Sequence, residues 1–302
     1  MNSVNEIRDP IYGFIHPTEK ELKIINTSIF QRLRRVRQLA MTYLVYPGAH
    51  HTRFEHSLGV LHIASKMAEL LLPEIGRRDI VRLSALLHDL GHPPFSHVTE
   101  TILEKYASLP PNTPTEKVHE LITLDIIRTN PQLGTLISED DVNQIIGLLS
   151  GNKYDQSLMK EMISGPLDAD KMDYLLRDSY CCGVKYGIFD LDRMLNSITE
   201  IKEQYDSHLG IKYDGINMAE QYFLSKYYMT TQVYFHKVRL ITDAMIVRAI
   251  ELGIELDDIE CLKRVFCYRP EESYIHDYGQ YWAKNDPGCF NGDTVMIFEK
   301  LA

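Results

Sequence analysis

Apolar residues recur at intervals of three and four positions through most of this chain, which is the period of an α-helix with one buried face. Leu58, Leu61, Met67 and Leu71 show the repeat within one segment. The pattern predicts helices over residues 28–40, 56–72, 79–89, 116–128, 140–149, 170–181, 190–198 and 217–252. A chain with this pattern is expected to adopt a mainly α fold.

Two segments depart from the helical period. Residues 9–17 contain Pro10, Gly13 and Pro17, which predict turns and a short ribbon. Residues 198–213 alternate apolar and polar side chains around Gly210, which predicts a small β-hairpin.

Helix ends and loops divide the chain further. Residues 26–28 can cap the first helix, Gly76 is expected to end the segment after Pro73, and residues 91–94 stop the helix over 79–89. Proline-rich loops are predicted at 109–114 and 285–292. We expect a core over residues 1–200, with the hairpin, the long helix and a C-terminal extension over 201–302 packed on it.

Composition excludes several classes of function. The formal net charge of -10 and the pI near 5.6 argue against a general nucleic-acid binder, which normally carries a basic surface. The five cysteines have neither a disulfide framework nor a zinc-finger spacing, so we expect reduced thiols in a cytoplasmic protein. No apolar run approaches the roughly 20 residues of a membrane span, so a membrane partner is not expected.

The densest group of reactive side chains lies at the end of the helix predicted over 79–89. His88, Asp89, His92 and His97 place three imidazoles and a carboxylate within ten residues. The preceding apolar residues carry the pair His88–Asp89 into the core, where a carboxylate needs a partner or a cation. Imidazole with carboxylate suits Zn, Mn, Fe, Co or Ni better than Ca. An isolated pair would instead be a capping Asp beside a hydrogen-bonded core His.

Several linked motifs surround that pair. RFEHSLGV contains His56, LLHDLGHPPFSH contains His88 and Asp89, and DKMDYLLRD begins at Asp170. Together with FQRLRRVRQL and YPGAHHTRFEH, this order resembles the HD superfamily of metal-dependent phosphohydrolases, and within it the SAM- and HD-domain and bacterial dGTPase-like branch of deoxynucleoside triphosphate (dNTP) triphosphohydrolases. The resemblance spans residues 7–250 and implies an HD-domain helical fold.

By this resemblance the chain holds one divalent metal, which is Mn, Fe, Co, Ni, Zn or Mg. The implied ligands are His56, His88, Asp89 and Asp170. Such a set leaves positions open for water and phosphate, as at a catalytic metal site.

The resemblance also implies roles for the groups around the metal. His119 would be the general acid for the leaving 5′ oxygen, with Glu100 as its partner at a position that is normally Asp. His92 and His97 would contact phosphate oxygens beside them. The implied substrate-binding residues are Arg53 and Lys171 for phosphate, Gln38, Leu39, Tyr174, Asp178 and Tyr234 for sugar and base, and Lys226, where an Arg is expected, for the terminal phosphate.

The run of arginines over residues 32–37 is ordinarily a solvated helix face. The resemblance suggests instead an effector site for a nucleotide in a homo-oligomer, formed by Gln31 and Arg34 with Arg193, His236 and Lys237 of neighbouring subunits. Asn26 stands where an Asp reads guanine, which argues against activation by a guanine nucleotide.

Three functions follow from these observations. The first is hydrolysis of dNTPs to deoxynucleoside and triphosphate. The second keeps the metal but acts on nucleoside monophosphates or other phosphate esters. The third is a non-catalytic nucleotide or nucleic-acid sensor that uses the run over 32–37, and the full set of metal ligands argues against it.

Overall fold

The structure is a computed structural model, and it describes residues 5–109, 117–151, 157–203 and 206–269. The chain divides into two compact units. Unit 1 contains the described parts of Met1–Lys23, Glu55–His88 and Ile137–His236, and unit 2 those of Ile24–Phe54, Asp89–Leu136 and Lys237–Ala302. The boundary predicted between residues 200 and 201 stays a prediction.

The described residues are mainly α-helical, which confirms the predicted fold class. The helices of three turns or more follow the predicted apolar periods, and further short helices join them. The α-helices are Glu19–Ile25, Ser28–Gln31, Arg53–Leu71, Ile75–Leu87, Glu100–Tyr106, Val118–Thr129, Pro131–Gly134, Glu139–Ser150, Ser157–Ile163, Ala169–Cys182, Leu191–Ser197, Ile216–Met229, Lys237–Glu255 and Glu260–Phe266. Shorter 3₁₀ segments are Arg32–Arg35, Ala40–Leu44, Ser96–Thr99 and Tyr213–Gly215.

The part of the chain that the structure describes contains two antiparallel hairpins, both where alternation or turn residues predicted them. Ile7–Asp9 pairs with Gly13–Ile15, and Ile198–Lys202 pairs with Ser207–Ile211. In the first hairpin the carboxylate of Asp9 accepts the backbone N–H groups of Ile11 and Tyr12, at 2.8 and 3.1 Å. Such an Asp turn fixes the loop that carries Tyr12.

The helix predicted over 28–40 is wrong. Thr27 caps a helix that ends at Gln31, a 3₁₀ turn follows, and Val36 is extended. The backbone N–H of Arg53 donates to Val36, and that of Gln38 donates to His51. This pairing with a distant segment satisfies the backbone groups that a continuous helix would have used, so tertiary contact outweighs local propensity.

Two other predicted boundaries are corrected. The helix over 217–252 is in fact two helices, because a π-helical segment, Thr230–Tyr234, follows Met229 and the next helix begins at Lys237. Gly76 does not end a segment, since it lies in the first turn of the helix Ile75–Leu87. The predicted loop at 285–292, the C-terminal extension beyond 269 and most of the loop at 109–114 lie outside the described residues.

Each unit has its own apolar core. In unit 1, helix Ile75–Leu87 buries Val81, Leu83 and Leu86, and it ends at His88. In unit 2, helix Val118–Thr129 buries Ile122 and Ile126. The apolar faces therefore bring His119, in the first turn of the second helix, into a buried position and leave His88 half-buried. None of the described helices combines the length and the hydropathy needed to cross a membrane.

Candidate active site

A histidine–carboxylate group lies in unit 1, at the ends of three helices. His56 lies in the first turn of helix Arg53–Leu71, His88 follows helix Ile75–Leu87, and Asp170 lies in the first turn of helix Ala169–Cys182. One ligand atom from each of these three residues lies within 4.8 Å of the others. His56 Nε2 is 3.0 Å and His88 Nε2 is 3.9 Å from Asp170 Oδ1. We call this set the metal group.

In both imidazoles of the metal group, the Nδ1 atom contacts an oxygen atom outside the group. His56 Nδ1 lies 2.8 Å from Asp173 Oδ2, and His88 Nδ1 lies 2.7 Å from the carbonyl oxygen of Ala85. A carbonyl or carboxylate oxygen accepts, so each Nδ1 carries a proton and Nε2 is the nitrogen left for a metal. The Nε2 atoms are the ones that face Asp170, which is the arrangement a bound metal requires.

This donor set fits a divalent metal. Ligand atoms lie about 2.0–2.2 Å from an ion such as zinc, so two ligands of one ion are separated by about 3 to 4 Å. The two contacts to Asp170 Oδ1, of 3.0 and 3.9 Å, are in that range. Two imidazoles and a carboxylate suit a transition metal better than calcium. In the sequence Asp89 follows His88 directly, and its role as a fourth ligand stays a prediction.

The other residues predicted in unit 1 for substrate binding lie in three places. Lys171 Nζ lies 2.5 Å from Asp168 Oδ2, and the buried Asp168 caps the helix that carries Asp170. Farther along that helix, Asp178 accepts a 2.7 Å hydrogen bond from the hydroxyl of Tyr234, whose ring packs edge-on against Tyr174 at 6.2 Å. The structure thus brings together three of the five residues predicted for sugar and base. Lys226 lies half-buried on helix Ile216–Met229.

A second group of histidines lies in unit 2. The rings of His92 and His119 are stacked with centroids 4.0 Å apart, and His97 packs edge-on against His92 at 4.9 Å. His119 Nδ1 lies 2.6 Å from Glu100 Oε2, and Glu100 Oε1 also accepts the backbone N–H of His119. The extra methylene of Glu100 therefore does not prevent the predicted pairing. We call these four residues the histidine cluster.

Burial keeps one member of the histidine cluster neutral. His92 is 1% exposed, and burial, reinforced by the charge of Arg53, lowers its pKa well below the usual value. Its Nε2 lies 3.3 Å from Asp89 Oδ1. Arg53 Nη1 lies 2.5 Å from Asp89 Oδ2, and Arg53 Nε donates to the hydroxyl of Ser96. Arg53, predicted to bind phosphate, is thus a buried partner of Asp89 in this structure.

The loop after Asp89 needs a glycine to reach its position. A Cβ atom on Gly91 would lie 2.2 Å from the carbonyl oxygen of His119 and 2.4 Å from the backbone nitrogen of Thr123. The backbone N–H of Gly91 also donates to the Thr123 hydroxyl. Because no larger residue fits, Gly91 allows the loop that carries His92 to approach the helix that carries His119.

Only part of the arginine run is a solvated face. Arg32 is 2% exposed, and its guanidinium donates to the carbonyl oxygens of His92, at 2.9 Å, and of Leu90. Arg34 is exposed, stacks 3.5 Å above the ring of Phe54 and donates to Gln31. The sensor hypothesis relied on the whole run, and Arg32 is not part of any surface.

The remaining predicted residues are located as follows. Gln38 and Leu39 are buried in unit 2, and Gln31 donates to the carbonyl oxygen of Ile25. Arg193 contacts the exposed carboxylate of Asp214 at 3.1 Å. His236 and Lys237 are consecutive residues, at the end of unit 1 and the start of unit 2. The effector role of Gln31, Arg34, Arg193, His236 and Lys237 stays a prediction.

Sequence reasoning missed the residues around Asp173. The Asp173 carboxylate is fully buried and is gripped by Arg177, whose Nε and Nη2 donate to its two oxygens at 2.9 and 3.0 Å. Burial alone would raise the pKa of Asp173, but Arg177 and His56 outweigh it and hold the pKa well below the usual value. A signal was present, because Asp173 and Arg177 are spaced four apart on a predicted helix, where opposite charges pair.

Comparison with known families identifies the class of protein. A family model described as HD domain matches residues 53–178, and one described as HD associated region matches residues 189–268. The first match contains every predicted metal ligand. A solved structure of a hypothetical protein from Aquifex aeolicus is 35% identical with a TM-score of 0.73, and the match covers 98% of this chain and 75% of that chain. The chain therefore belongs to the HD-domain family.

Two curated relatives refine this result. An uncharacterized protein from Methanocaldococcus jannaschii is 41% identical over 277 residues, which is 89% of this chain and 56% of the relative. The deoxynucleoside triphosphate triphosphohydrolase of Homo sapiens is 32% identical over 280 residues, which is 82% of this chain and 44% of that protein. The chain thus spans about half the length of the curated relatives it matches.

Proposed function

We propose that this chain is a metal-dependent phosphohydrolase that converts dNTPs to deoxynucleoside and triphosphate. The observation that carries the proposal is the metal group, because two imidazoles with fixed tautomers present their Nε2 atoms to one carboxylate. The named activity of the relative from Homo sapiens, at 32% identity, supports the choice of substrate.

A divalent metal bound by His56, His88 and Asp170, with Asp89 as the predicted fourth ligand, supplies Lewis-acid chemistry that polarises a phosphoryl oxygen and activates water. The chain's own residues then set the geometry around it. Asp173 and the carbonyl of Ala85 orient the two imidazoles through their Nδ1 protons. Hydrolysis by water needs no covalent link between enzyme and substrate.

The histidine cluster supplies the proton in this proposal. His119 Nδ1 is held by Glu100, so His119 Nε2 is left to carry the proton to the 5′ oxygen when its bond to the α-phosphorus breaks. The stacked, neutral ring of His92 adds no positive charge beside it. His97 is exposed, and the family resemblance assigns it to phosphate oxygens.

Substrate recognition is proposed to follow the family resemblance. Arg53 and Lys171 are the basic groups nearest in sequence to the metal ligands, and arginine can bind two phosphate oxygens at once. Tyr174, Asp178 and Tyr234, which pack together, are assigned to the sugar and the base, with Gln38 and Leu39. Effector binding and self-association are proposed on the same resemblance.

The products test this proposal. Purified chain, loaded separately with Mn, Co, Fe or Mg, is incubated with each dNTP, each ribonucleotide and each monophosphate, and products are separated by ion-pair chromatography. Deoxynucleoside plus triphosphate, abolished by His88→Ala, is the expected result. Release of inorganic phosphate from monophosphates would support the phosphomonoesterase instead, and metal-independent turnover would contradict both.

A further inference from the structure

The N-terminal hairpin reaches the outer side of the metal group within unit 1. The hydroxyl of Tyr12 donates to Asp173 Oδ1 at 2.7 Å, and Asp9 Oδ2 accepts from Arg177 Nη1 at 2.9 Å. These contacts join residues that are 161 and 168 positions apart in the sequence. The fold therefore connects a hairpin at the start of the chain to a carboxylate that contacts His56.

Asp173 accepts hydrogen bonds on both of its oxygens. Oδ2 faces His56 Nδ1 and Arg177 Nε, and Oδ1 faces Tyr12 and Arg177 Nη2. Hydrogen bonds to both oxygens hold the Asp173 carboxylate in one orientation. In that orientation it can only accept a hydrogen bond from His56. The partners of Asp173 therefore fix both the position of His56 and the nitrogen that carries its proton.

The contacts in this network are buried and directional. Burial and the negative charge of Asp173 raise the pKa of Tyr12 well above its usual value, so the hydroxyl keeps its proton and acts as a donor. Arg177 is 1% exposed, and its guanidinium is shared between Asp173 and Asp9. The ring of Tyr12 stacks on His62 at 4.7 Å, which holds the hydroxyl in place independently of the hydrogen bond.

Gly59 has no side chain, and the Asp173–Arg177 pair occupies the space where one would lie. A Cβ atom on Gly59 would lie 1.8 Å from Asp173 Oδ1 and 2.5 Å from Arg177 Nη2. Gly59 lies one turn beyond His56 on helix Arg53–Leu71, where glycine otherwise weakens a helix. The close approach of the Asp173–Arg177 pair to this helix explains why a glycine stands there.

We propose that Tyr12, Asp9, Arg177 and Asp173 are positioning residues that hold His56 in the Nδ1–H tautomer, so that His56 Nε2 is always presented to the metal. This inference rests on the metal site proposed above. It adds that the N-terminal hairpin helps to position His56 through the contacts of Tyr12 and Asp9 with Asp173 and Arg177. Residues of this kind typically change metal affinity by about 10–100-fold when they are removed.

The test has one readout that needs no metal and one that does. In the metal-free full chain, the ¹⁵N shifts of His56, assigned by comparison with His56→Gln, report which ring nitrogen carries the proton. In parallel, titration calorimetry with Mn²⁺ measures the dissociation constant. For the wild type, we expect a proton on His56 Nδ1 and one Mn²⁺ per chain.

Asp173→Asn and Tyr12→Phe are the decisive variants. Asn removes the charge and one acceptor, so we expect a mixture of His56 tautomers and Mn²⁺ affinity lowered by about 10–100-fold. Tyr12→Phe keeps the ring that stacks on His62 and removes only the hydroxyl, so we expect a loss of about tenfold, at the lower end of that range. Tyr213→Phe, at a side chain that is 91% exposed, is the matched control and should change neither readout.

Gly59→Ala tests the same network by steric displacement. It should shift the tautomer and weaken Mn²⁺ binding as Asp173→Asn does, whereas Gly147→Ala, in another helix of unit 1 with no atom near the new methyl, should leave both unchanged. Unaltered tautomer and affinity in folded Asp173→Asn and Tyr12→Phe would overturn the inference. A wild type that shows the Nδ1–H form but binds no metal would overturn the proposed metal site instead.

Discussion

In two histidine–carboxylate pairs of this protein, the Nδ1 atom of the ring contacts a carboxylate in the same way. The surroundings of the rest of the ring differ between the two pairs. In unit 1, His56 Nδ1 contacts Asp173, and in unit 2, His119 Nδ1 contacts Glu100, at 2.8 and 2.6 Å. The opposite nitrogen of His56 faces the carboxylate of Asp170. The ring of His119 instead stacks on the neutral imidazole of His92.

Under the proposed function, this difference lets two similar pairs of side chains serve two chemistries. An imidazole whose Nε2 faces a carboxylate and a second imidazole is placed to bind a cation. An imidazole beside a neutral ring, held by a buried carboxylate, is placed to move a proton. In that proposal, the environment of the second nitrogen, rather than the residue type, separates a metal ligand from a proton donor.

Removal of a proposed metal ligand should give the largest effect. It should abolish both metal binding and hydrolysis. For His88→Ala, we expect no bound metal and no measurable hydrolysis, because the variant loses one of the two imidazoles of the metal group. Metal content by atomic emission and product formation by chromatography measure the two effects. Activity in a variant that holds no metal would break the assignment of unit 1 as the metal-binding region.

Removal of His119, the proposed proton donor, should affect catalysis in unit 2 without affecting the metal in unit 1. For His119→Gln, we expect kcat to fall by about 10²–10⁴-fold while one metal per chain is retained. Glu100→Gln keeps the size of its side chain and should give a smaller loss, since the imidazole is still present. If His119→Gln also lost its metal, the distinction drawn between the two pairs would be wrong.

The arginine run in unit 2 should divide into one structural residue and one surface residue. Arg32→Ala leaves the buried carbonyl oxygens of Leu90 and His92 without their donor, so we expect the free energy of unfolding to fall by about 3–5 kcal/mol. Arg34→Ala loses a cation–π contact at the surface and should cost about 0.5–1 kcal/mol. Urea unfolding of both variants measures the difference, and equal effects would contradict the burial of Arg32.

The stability of the folded state should depend on pH through a buried histidine of unit 1. Burial, reinforced by the charge of Lys66, lowers the pKa of His62 to about 4. The unfolded chain takes up this proton near pH 6.5, so the folded state loses up to about 3 kcal/mol as the pH falls from 6.5 to 4. For His62→Phe, which keeps a ring against Tyr12, we expect a flatter dependence of urea midpoint on pH in that window. An unchanged slope would refute the contribution of His62.

The sequence predicted most of the helices because their apolar faces are buried within one unit. It failed at residues 28–40, where the backbone pairs with the segment around His51, and at residues 230–236, where a π-helical segment interrupts a continuous apolar period without any proline or glycine. Both failures involve contacts or backbone geometry that local spacing does not encode.

The sequence predicted the residues of the metal group but not the residues that position them. Spacing and motif likeness were enough to select His56, His88 and Asp170, which the structure brings together. The role of Tyr12 could not be predicted, because its contact with Asp173 depends on how the N-terminal hairpin packs. The burial of Arg32 was missed because a run of arginines normally indicates solvent exposure.

The most direct test of the account is a crystal structure of the Mn²⁺-loaded chain with an anomalous difference map. The account predicts one peak, about 2.0–2.3 Å from the Nε2 atoms of His56 and His88 and from a carboxylate oxygen of Asp170. A peak among His92, His97 and His119, or the absence of any peak at His56, would contradict the assignment of metal binding to unit 1 and proton transfer to unit 2.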